Sequence, residues 1–379
     1  MPQPSILKSA LTFLLTAPIF GAGLIQPVNP PVTVHEWGTF TSVADANGHS
    51  VQWVPLEGTA DLPCFVHRMG SGIFKYVTLG LVRMETPVDY FYADTPTKVS
   101  VSVSFPNSLI TEWYPQASLP SGFQGIAWHD LSILPGTNAP LPVTKNPSRY
   151  FAARATDSAP LRSGNESEKL LFYRGIGNFD VPVEPVSEGN GIRVHNIGSE
   201  PIPVAILFEN QNGHIGYRVA RGVGKEDANL YAPELTASLE SLRADLISAL
   251  VQEGLYRKEA AAMVETWHDS WFEPGMRVIY LMPRATTDKV LPMNVSPAPQ
   301  ETQRVFVGRV EILSPWTDHT IRRAMETNDR KALDQFGRFL TPFLARIRAK
   351  GGLTEAPLAS SYVDQLEASH GAEPAPCVQ

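Results

Sequence analysis

Two glutamates are the first candidates for catalysis. Glu85 lies in the strand-like segment 82–92, and Glu112 lies in a second strand candidate, 109–114. Because the two segments should flank one common strand, we expect both carboxylates to reach the same cleft. Two carboxylates beside a cleft can act as the acid and base of glycoside hydrolysis. Glu85 and Glu112, with His35 nearby, are therefore predicted as catalytic residues, although the sheet faces of exported proteins also carry such charges routinely.

The densest polar stretch is His35-Glu36-Trp37-Gly38-Thr39-Phe40. A histidine and a glutamate beside an aromatic ring could bind a metal ion or a sugar. In a strand, however, neighbouring residues point to opposite faces, so His35 and Glu36 cannot share one ligand there. The second histidine of an HExxH zinc motif is also missing. The stretch therefore supports either a site or a structural role, and it does not identify a metal.

Aromatic residues and paired charges supply the candidates for ligand binding. Aromatic planes beside polar side chains can stack on sugar rings. The pattern Arg-x-Glu occurs at 83–85 and at 309–311, and in a strand this spacing places both charges on one face. Buried ion pairs are costly unless well bonded, so such pairs tend to be architectural or functional. The predicted ligand-binding residues are Glu36, Trp37, Trp113, Tyr114, Arg309 and Glu311.

Established catalytic signatures are absent from the sequence. It contains no GxSxG, HExxH or CxxC motif and no EF-hand loop. The segment Gly222-Val223-Gly224-Lys225 lacks the rest of a phosphate-binding loop. Neither a cofactor nor a metal follows from the sequence. The formal net charge of -7 offers no counter-ions for phosphates, which argues against nucleic acid and leaves a glycan or small molecule as the expected partner.

The N-terminus has the features of an export signal. Residues 1–23 combine Lys8, an apolar stretch and a small-residue region at Gly21-Ala22-Gly23. The apolar run is too short for a membrane span, so we expect a periplasmic or extracellular protein, with an uncleaved anchor as the alternative. The chain has only two cysteines, Cys64 and Cys377. In an exported chain they could form one disulfide or remain separate thiols.

Alternation of apolar and polar residues predicts strands over most of 32–225. Segments 82–92 and 99–105, joined by the turn at 94–97, are predicted as a hairpin with one buried face. Pro (33) and Gly (28) are frequent, which suits short strands joined by turns. The expected fold is mainly β with α (α+β), with an antiparallel β-sandwich or jelly-roll-like body.

After Pro233 the apolar spacing becomes helical. It predicts an αα-hairpin over 233–272. Trp267 and Trp271, four residues apart, are expected to anchor a helix in the core, with stacking on a sugar ring as the alternative. Strands over 276–313 are expected to complete the sheets, with a separate α+β lobe as the alternative. Helices should follow over 314–370, including one from Asn328 to Lys350 that Pro342 kinks. Residues 371–379 are expected to form a tail.

Several segments resemble a group of uncharacterised bacterial exported proteins that share an HEWGTF segment near the mature N-terminus. The similar segments are 35–41, 83–87, 171–175, 271–272 and 304–309. No activity is assigned to the group, so the resemblance implies a bacterial source and export and nothing catalytic.

These observations favour an exported protein that binds an extracellular ligand, with a glycan as the preferred class, and does not turn it over. The alternatives are a hydrolase acting on a sugar or ester through Glu85 and Glu112, and a structural component of the envelope. The alternatives differ in geometry. An enzyme or metal site requires the candidate polar residues to converge in one concave cluster, whereas a structural role allows them to be distributed over the sheet faces.

Overall fold

The structure is a computed structural model that describes residues 31–53, 62–69, 80–145 and 147–350. The expected signal segment, Cys377 and the tail lie outside the described residues. The described strands are β1 (Val32–Ala44), β2 (His67–Arg68), β3 (Val82–Ala93), β4 (Thr97–Ser104), β5 (Ser108–Tyr114), β6 (Gly125–Ile133), β7 (Leu161–Ser163), β8 (Glu166–Glu168), β9 (Leu171–Gly177), β10 (Val183–Ser187), β11 (Gly191–Asn196), β12 (Ile202–Gln211), β13 (His214–Val223), β14 (Ala228–Tyr231), β15 (Gly275–Met282), β16 (Met293–Ser296) and β17 (Glu301–Ile312).

Among the described residues, helices are fewer than strands and belong mainly to the second half of the chain. The α-helices are α1 (Leu239–Gln252), α2 (Arg257–Thr266), α3 (Arg284–Val290), α4 (Pro315–Thr327), α5 (Arg330–Asp334) and α6 (Leu340–Ala349), and two 3₁₀ turns lie at Arg149–Arg154 and Gly337–Phe339. None of the described helices has the length and apolar character needed to cross a membrane.

Nine strands form one mixed sheet in the order β13-β12-β15-β17-β1-β3-β9-β5-β2. At its centre, β1 runs parallel to β17 and antiparallel to β3. Almost every residue of β1 is buried, because both faces of this strand are covered. Side chains on the two faces therefore enter different cores. Trp37 lies in one core, and Phe40, three residues later, lies in the other.

The two faces of this sheet have different coverings. One face, called here the sandwich face, packs against a five-stranded sheet (β16-β4-β6-β7-β8) and a three-stranded sheet (β10-β11-β14). The opposite face, called the helix face, is covered at one end by α1 and α2 and at the other by α4 to α6. The predicted α+β class with a β-sandwich-like body is confirmed. β15 and β17 lie inside the large sheet.

The predicted hairpin of segments 82–92 and 99–105 is wrong. β3 belongs to the nine-stranded sheet and β4 to the five-stranded sheet, so the turn at 94–97 carries the chain from one layer of the sandwich to the other. The burial of the strands gives the reason. β3 is buried on both faces for most of its length, whereas β4 alternates between buried and exposed positions. The strand between β3 and β5 is β9.

The single kinked helix predicted from Asn328 to Lys350 is also wrong. The chain forms α5, a 3₁₀ turn and α6, and Gly337 between the helices has a φ of +46°. Only glycine adopts this left-handed conformation readily, so the helix is interrupted there. Pro342 is the third residue of α6, where a missing N–H breaks no helical hydrogen bond. Pro342 therefore lies in the first turn of α6 and does not kink the helix.

Candidate functional site

The predicted site residues are divided between the two faces of the nine-stranded sheet. His35 is on the helix face and Glu36 is on the sandwich face, as strand alternation requires. Glu85, Glu112, Arg309 and Glu311 share the helix face with His35. His35, however, contacts α2 at one end of this face, whereas Glu85 contacts Arg338, next to α6 at the other end. The structure therefore does not bring the predicted residues into one cluster.

Glu85 is buried and held between two donors. Its Oε2 accepts a hydrogen bond of 2.6 Å from the Thr41 hydroxyl, and its Oε1 pairs with Arg338. Burial alone would raise the pKa of Glu85, but Arg338, the Thr41 hydrogen bond and Arg309 outweigh it and lower this pKa to about 2. Glu85 is therefore ionised at neutral pH. A carboxyl group that protonates a leaving group needs a raised pKa instead.

Glu112 is committed to a different arginine. The Arg83 Nη2 lies 3.1 Å from the Glu112 Oε2, and the Thr111 hydroxyl donates to the same oxygen. Because β9 separates β3 from β5, the strands that carry Glu85 and Glu112 lie roughly 10 Å apart, two strand spacings. The catalytic roles of Glu85 and Glu112 stay predictions. The ion pairs with Arg338 and Arg83 do not favour these roles.

Arg309 and Glu311 belong to a buried ion-pair network. The two side chains contact each other at 2.5 Å, and Arg277 on the neighbouring strand contacts the same Glu311 oxygen at 2.9 Å. Arg309 also pairs with Glu273 at 2.5 Å and donates to the carbonyl of Ser270 at 2.7 Å. These contacts join two strands of the sheet to the loop before β15. No more than 1% of Arg309 or Glu311 is exposed, so a ligand does not reach them in this conformation.

The sandwich face contains a second buried charge cluster, around Glu36. The Glu36 carboxylate accepts hydrogen bonds from Tyr173 and Arg304. Asp89, its direct partner across β1 and β3, is fully buried, and neither of its carboxylate oxygens has a hydrogen-bond partner among the described residues. Burial and then the neighbouring Glu36 charge raise the pKa of Asp89 well above its usual range, although Arg304 opposes this. Asp89 therefore favours its neutral form.

His35 belongs to a third group, whose partners the sequence did not indicate. The His35 Nδ1 lies 2.8 Å from the Glu259 Oε2 on α2. Glu259 also accepts hydrogen bonds from the Tyr92 hydroxyl, 2.6 Å, and from the Tyr256 backbone N–H, 2.8 Å. The His35 ring packs against Tyr256, with ring centroids 4.3 Å apart. Glu259 is the third residue of α2, where its side chain accepts the backbone N–H of Tyr256, but the sequence has no Ser or Thr at position 256 to mark a capping box.

The aromatic binding candidates are mostly enclosed. Trp37 is completely buried in the core beneath α1 and α2, and Tyr114 is 4% exposed. Trp113 is partly buried and stacks on the His67 ring, which bonds to Glu166 at 3.0 Å. Trp267 and Trp271 are buried in the same core as Trp37, with nearly parallel rings. These rings build the core and leave little area for a ligand.

An open groove lies elsewhere, between α4 and α5 and beside the turn that joins β12 to β13. Its volume is about 310 Å³, near the lower end of the range for ligand sites. Trp316, His319 and Arg323 follow one face of α4, at spacings of three and four residues. The buried Ala324 and the half-buried Ala332 also line the groove. The polar and aromatic lining residues are Asn212, Trp316, His319, Thr320, Arg323, Thr327, Asp329 and Gln335.

The groove offers side chains that are not used within the described fold. His319 and Arg323 are exposed, and neither has a hydrogen-bond or ion-pair partner for its side chain among the described residues. Trp316 is half-buried, with its ring centroid 6.3 Å from that of Phe336. Helices were predicted from residue 314 onwards, so the spacing of Trp316 and Arg323 on one helical face was a signal for the groove that the sequence already contained. No group of three or more described His, Cys, Asp or Glu residues is placed to hold a metal ion.

Comparison with known proteins gives no family. No protein-family model matches the chain, and no curated protein matches its sequence. Among solved structures, the chain is similar to the Mu homology domain of Fcho1 from Danio rerio, solved with a bound Eps15 peptide. The identity is 9% and the TM-score 0.31, over 75% of this chain and 98% of that chain. A likeness this distant carries no argument about fold or function.

Proposed function

We propose that the chain is an exported bacterial protein that binds an extracellular ligand, with a glycan as the preferred class, in the groove between α4 and α5. The observation that carries this proposal is the set of side chains around the groove: a half-buried tryptophan beside an arginine and a histidine that have no partners within the described part of the chain. Sugars bind where an aromatic face meets a few convergent polar groups. The groove has both features.

Three observations support an exported location. The expected signal segment at 1–23 is followed by a chain with only two cysteines. Cys64 is disulfide-bonded, and disulfides persist mainly in oxidising compartments outside the cytosol. The sequence resemblance to bacterial exported proteins points the same way.

The hydrolase alternative has less support. Glu85 and Glu112 are both buried, and both are ion-paired with arginines. Catalysis would require these ion pairs to open and admit a substrate. A binding role needs no such rearrangement, because the groove is already open to solvent.

Binding can be tested with a glycan array followed by titration calorimetry. Trp316→Ala is expected to abolish binding of the glycans that the wild-type protein retains, because the aromatic platform is removed. Arg322→Gln is the matched control, since Arg322 lies on the same helix and is already paired with Asp318 at 2.9 Å. Circular dichroism should show that both variants are folded. Absence of any glycan signal from the folded wild-type protein would refute the proposal.

A further inference from the structure

We propose that the groove between α4 and α5 selects an acidic oligosaccharide of at least two sugar units. In this arrangement Trp316 stacks on one ring and Arg323 binds the carboxylate of a neighbouring unit. The inference rests on the proposed function and adds the charge and the minimum length of the ligand.

The length follows from the helix. Trp316 and Arg323 are seven residues apart on α4, which corresponds to about 10 Å along the helix axis at a rise of about 1.5 Å per residue. Seven residues are nearly two full turns, so both side chains leave the same face. This separation of the two backbone positions is longer than one sugar ring. A ligand that contacts both side chains is therefore inferred to extend over a second unit, past His319, which lies between the two contacts.

The charge follows from the pairing of the arginines. Arg322 and Arg323 are neighbours in sequence, but Arg322 pairs with Asp318, whereas the Arg323 guanidinium has no partner among the described residues. The one described lining carboxylate, Asp329, caps α5, where its Oδ1 accepts the backbone N–H of Ala332 at 3.1 Å, and it does not pair with Arg323. An unpaired guanidinium is suited to a carboxylate, which it can bind through two parallel hydrogen bonds.

Because the net charge of the chain is negative, recognition of an acidic ligand has to depend on the contact with Arg323. The chain carries a formal net charge of -7, so its long-range field repels anions. An acidic saccharide would therefore bind through the contact with Arg323 rather than through general attraction to the surface. Added salt should weaken the contact only moderately, because a single ion pair is screened.

The experiment compares three probes by titration calorimetry on the full chain: galacturonate monomer, a galacturonate tetramer and a neutral galactose tetramer. The wild-type protein is expected to bind the acidic tetramer at least tenfold more tightly than either other probe. Arg323→Gln should lower the affinity for the acidic tetramer about tenfold and leave the neutral tetramer unchanged. Arg322→Gln should change neither affinity. Trp316→Ala should abolish binding of both tetramers.

The outcomes separate this inference from the proposed function. Equal binding of acidic and neutral tetramers, lost in Trp316→Ala, would overturn the acidic preference and retain glycan binding. Monomer binding as tight as tetramer binding would overturn the length requirement. If Arg322→Gln lowers the affinity for the acidic tetramer as much as Arg323→Gln does, the binding depends on nonspecific positive charge. That result would overturn the role of Arg323. No binding of any probe, together with a silent glycan array, would remove both proposals.

Discussion

Replacement of Asp89 by asparagine should stabilise the protein at neutral pH, by an amount that depends on pH. Asp89 is completely buried beside Glu36, and its carboxylate oxygens have no hydrogen-bond partners among the described residues. Burial and then the Glu36 charge raise the pKa of Asp89 in the folded state. In the unfolded chain the group ionises with an ordinary pKa of about 3.9. Folding above that pH therefore requires Asp89 either to take up a proton or to remain charged in a costly position.

The sign of the effect follows from proton linkage. A folded-state pKa above the unfolded value gives a contribution to stability that is complete below about pH 3.9 and is lost as the pH rises towards the folded pKa. The asparagine side chain does not titrate, so the advantage of Asp89→Asn should grow by about 1.4 kcal/mol per pH unit over this range. Full protonation of Asp89 at pH 7 would set the upper limit of the gain at about 4 kcal/mol.

The assay is urea denaturation of the wild-type protein and Asp89→Asn between pH 4 and pH 8. The matched control is Asp288→Asn, because Asp288 lies beside the same arginine, Arg304, and pairs with it, but is 44% exposed. Exposed ion pairs contribute about 0–1 kcal/mol, so Asp288→Asn should change the free energy of unfolding little. The difference from the wild type should not grow with pH as it does for Asp89→Asn. A difference between Asp89→Asn and the wild type that stays constant across this range, or a loss of stability at pH 7, would refute the reasoning.

Three other substitutions test the architecture and the hydrolase alternative. Glu85→Gln should remove a pH-dependent part of the stability. The pKa of Glu85 is lowered to about 2, so its contribution is present above about pH 4.5 and is lost as the pH falls towards 2; acid denaturation of both proteins measures it. Gly308→Ala should destabilise by about 1–3 kcal/mol and lower the thermal midpoint, since the added methyl carbon would lie 1.9 Å from the Tyr280 ring; an unchanged midpoint would contradict the packing. Glu85→Gln with Glu112→Gln should leave any glycosidase or esterase activity unaltered, and its loss in the folded double variant would revive the carboxylate mechanism.

The sequence predicted what depends on local alternation. The period of two placed His35 and Glu36 on opposite faces and Arg309 and Glu311 on the same face, and the structure has both arrangements. Frequent short strands also predicted the β-sandwich-like body. These features depend only on the local sequence, because side-chain direction in a strand repeats every two residues.

The partners of these residues could not be predicted, because they depend on strand order. His35 meets Glu259, 224 residues later, and Glu36 meets Arg304, 268 residues later. The turn at 94–97 favoured a hairpin, since adjacent strands usually pair. Burial of β3 on both faces overrode this local preference. The groove was missed for a different reason: it needs α5 and the β12–β13 turn beside α4, and only the tertiary structure places them there.

The parallel pairing of β1 with β17 has a consequence for how the molecule is made. The middle of the large sheet joins the strand that begins at Val32 to the strand that ends at Ile312. A nascent chain that stops short of the later strand leaves β1 with an open edge and several hydrophobic side chains exposed to water. The central layer can therefore assemble only after nearly the whole described chain has been synthesised. Such late closure, with its many long-range contacts, slows folding.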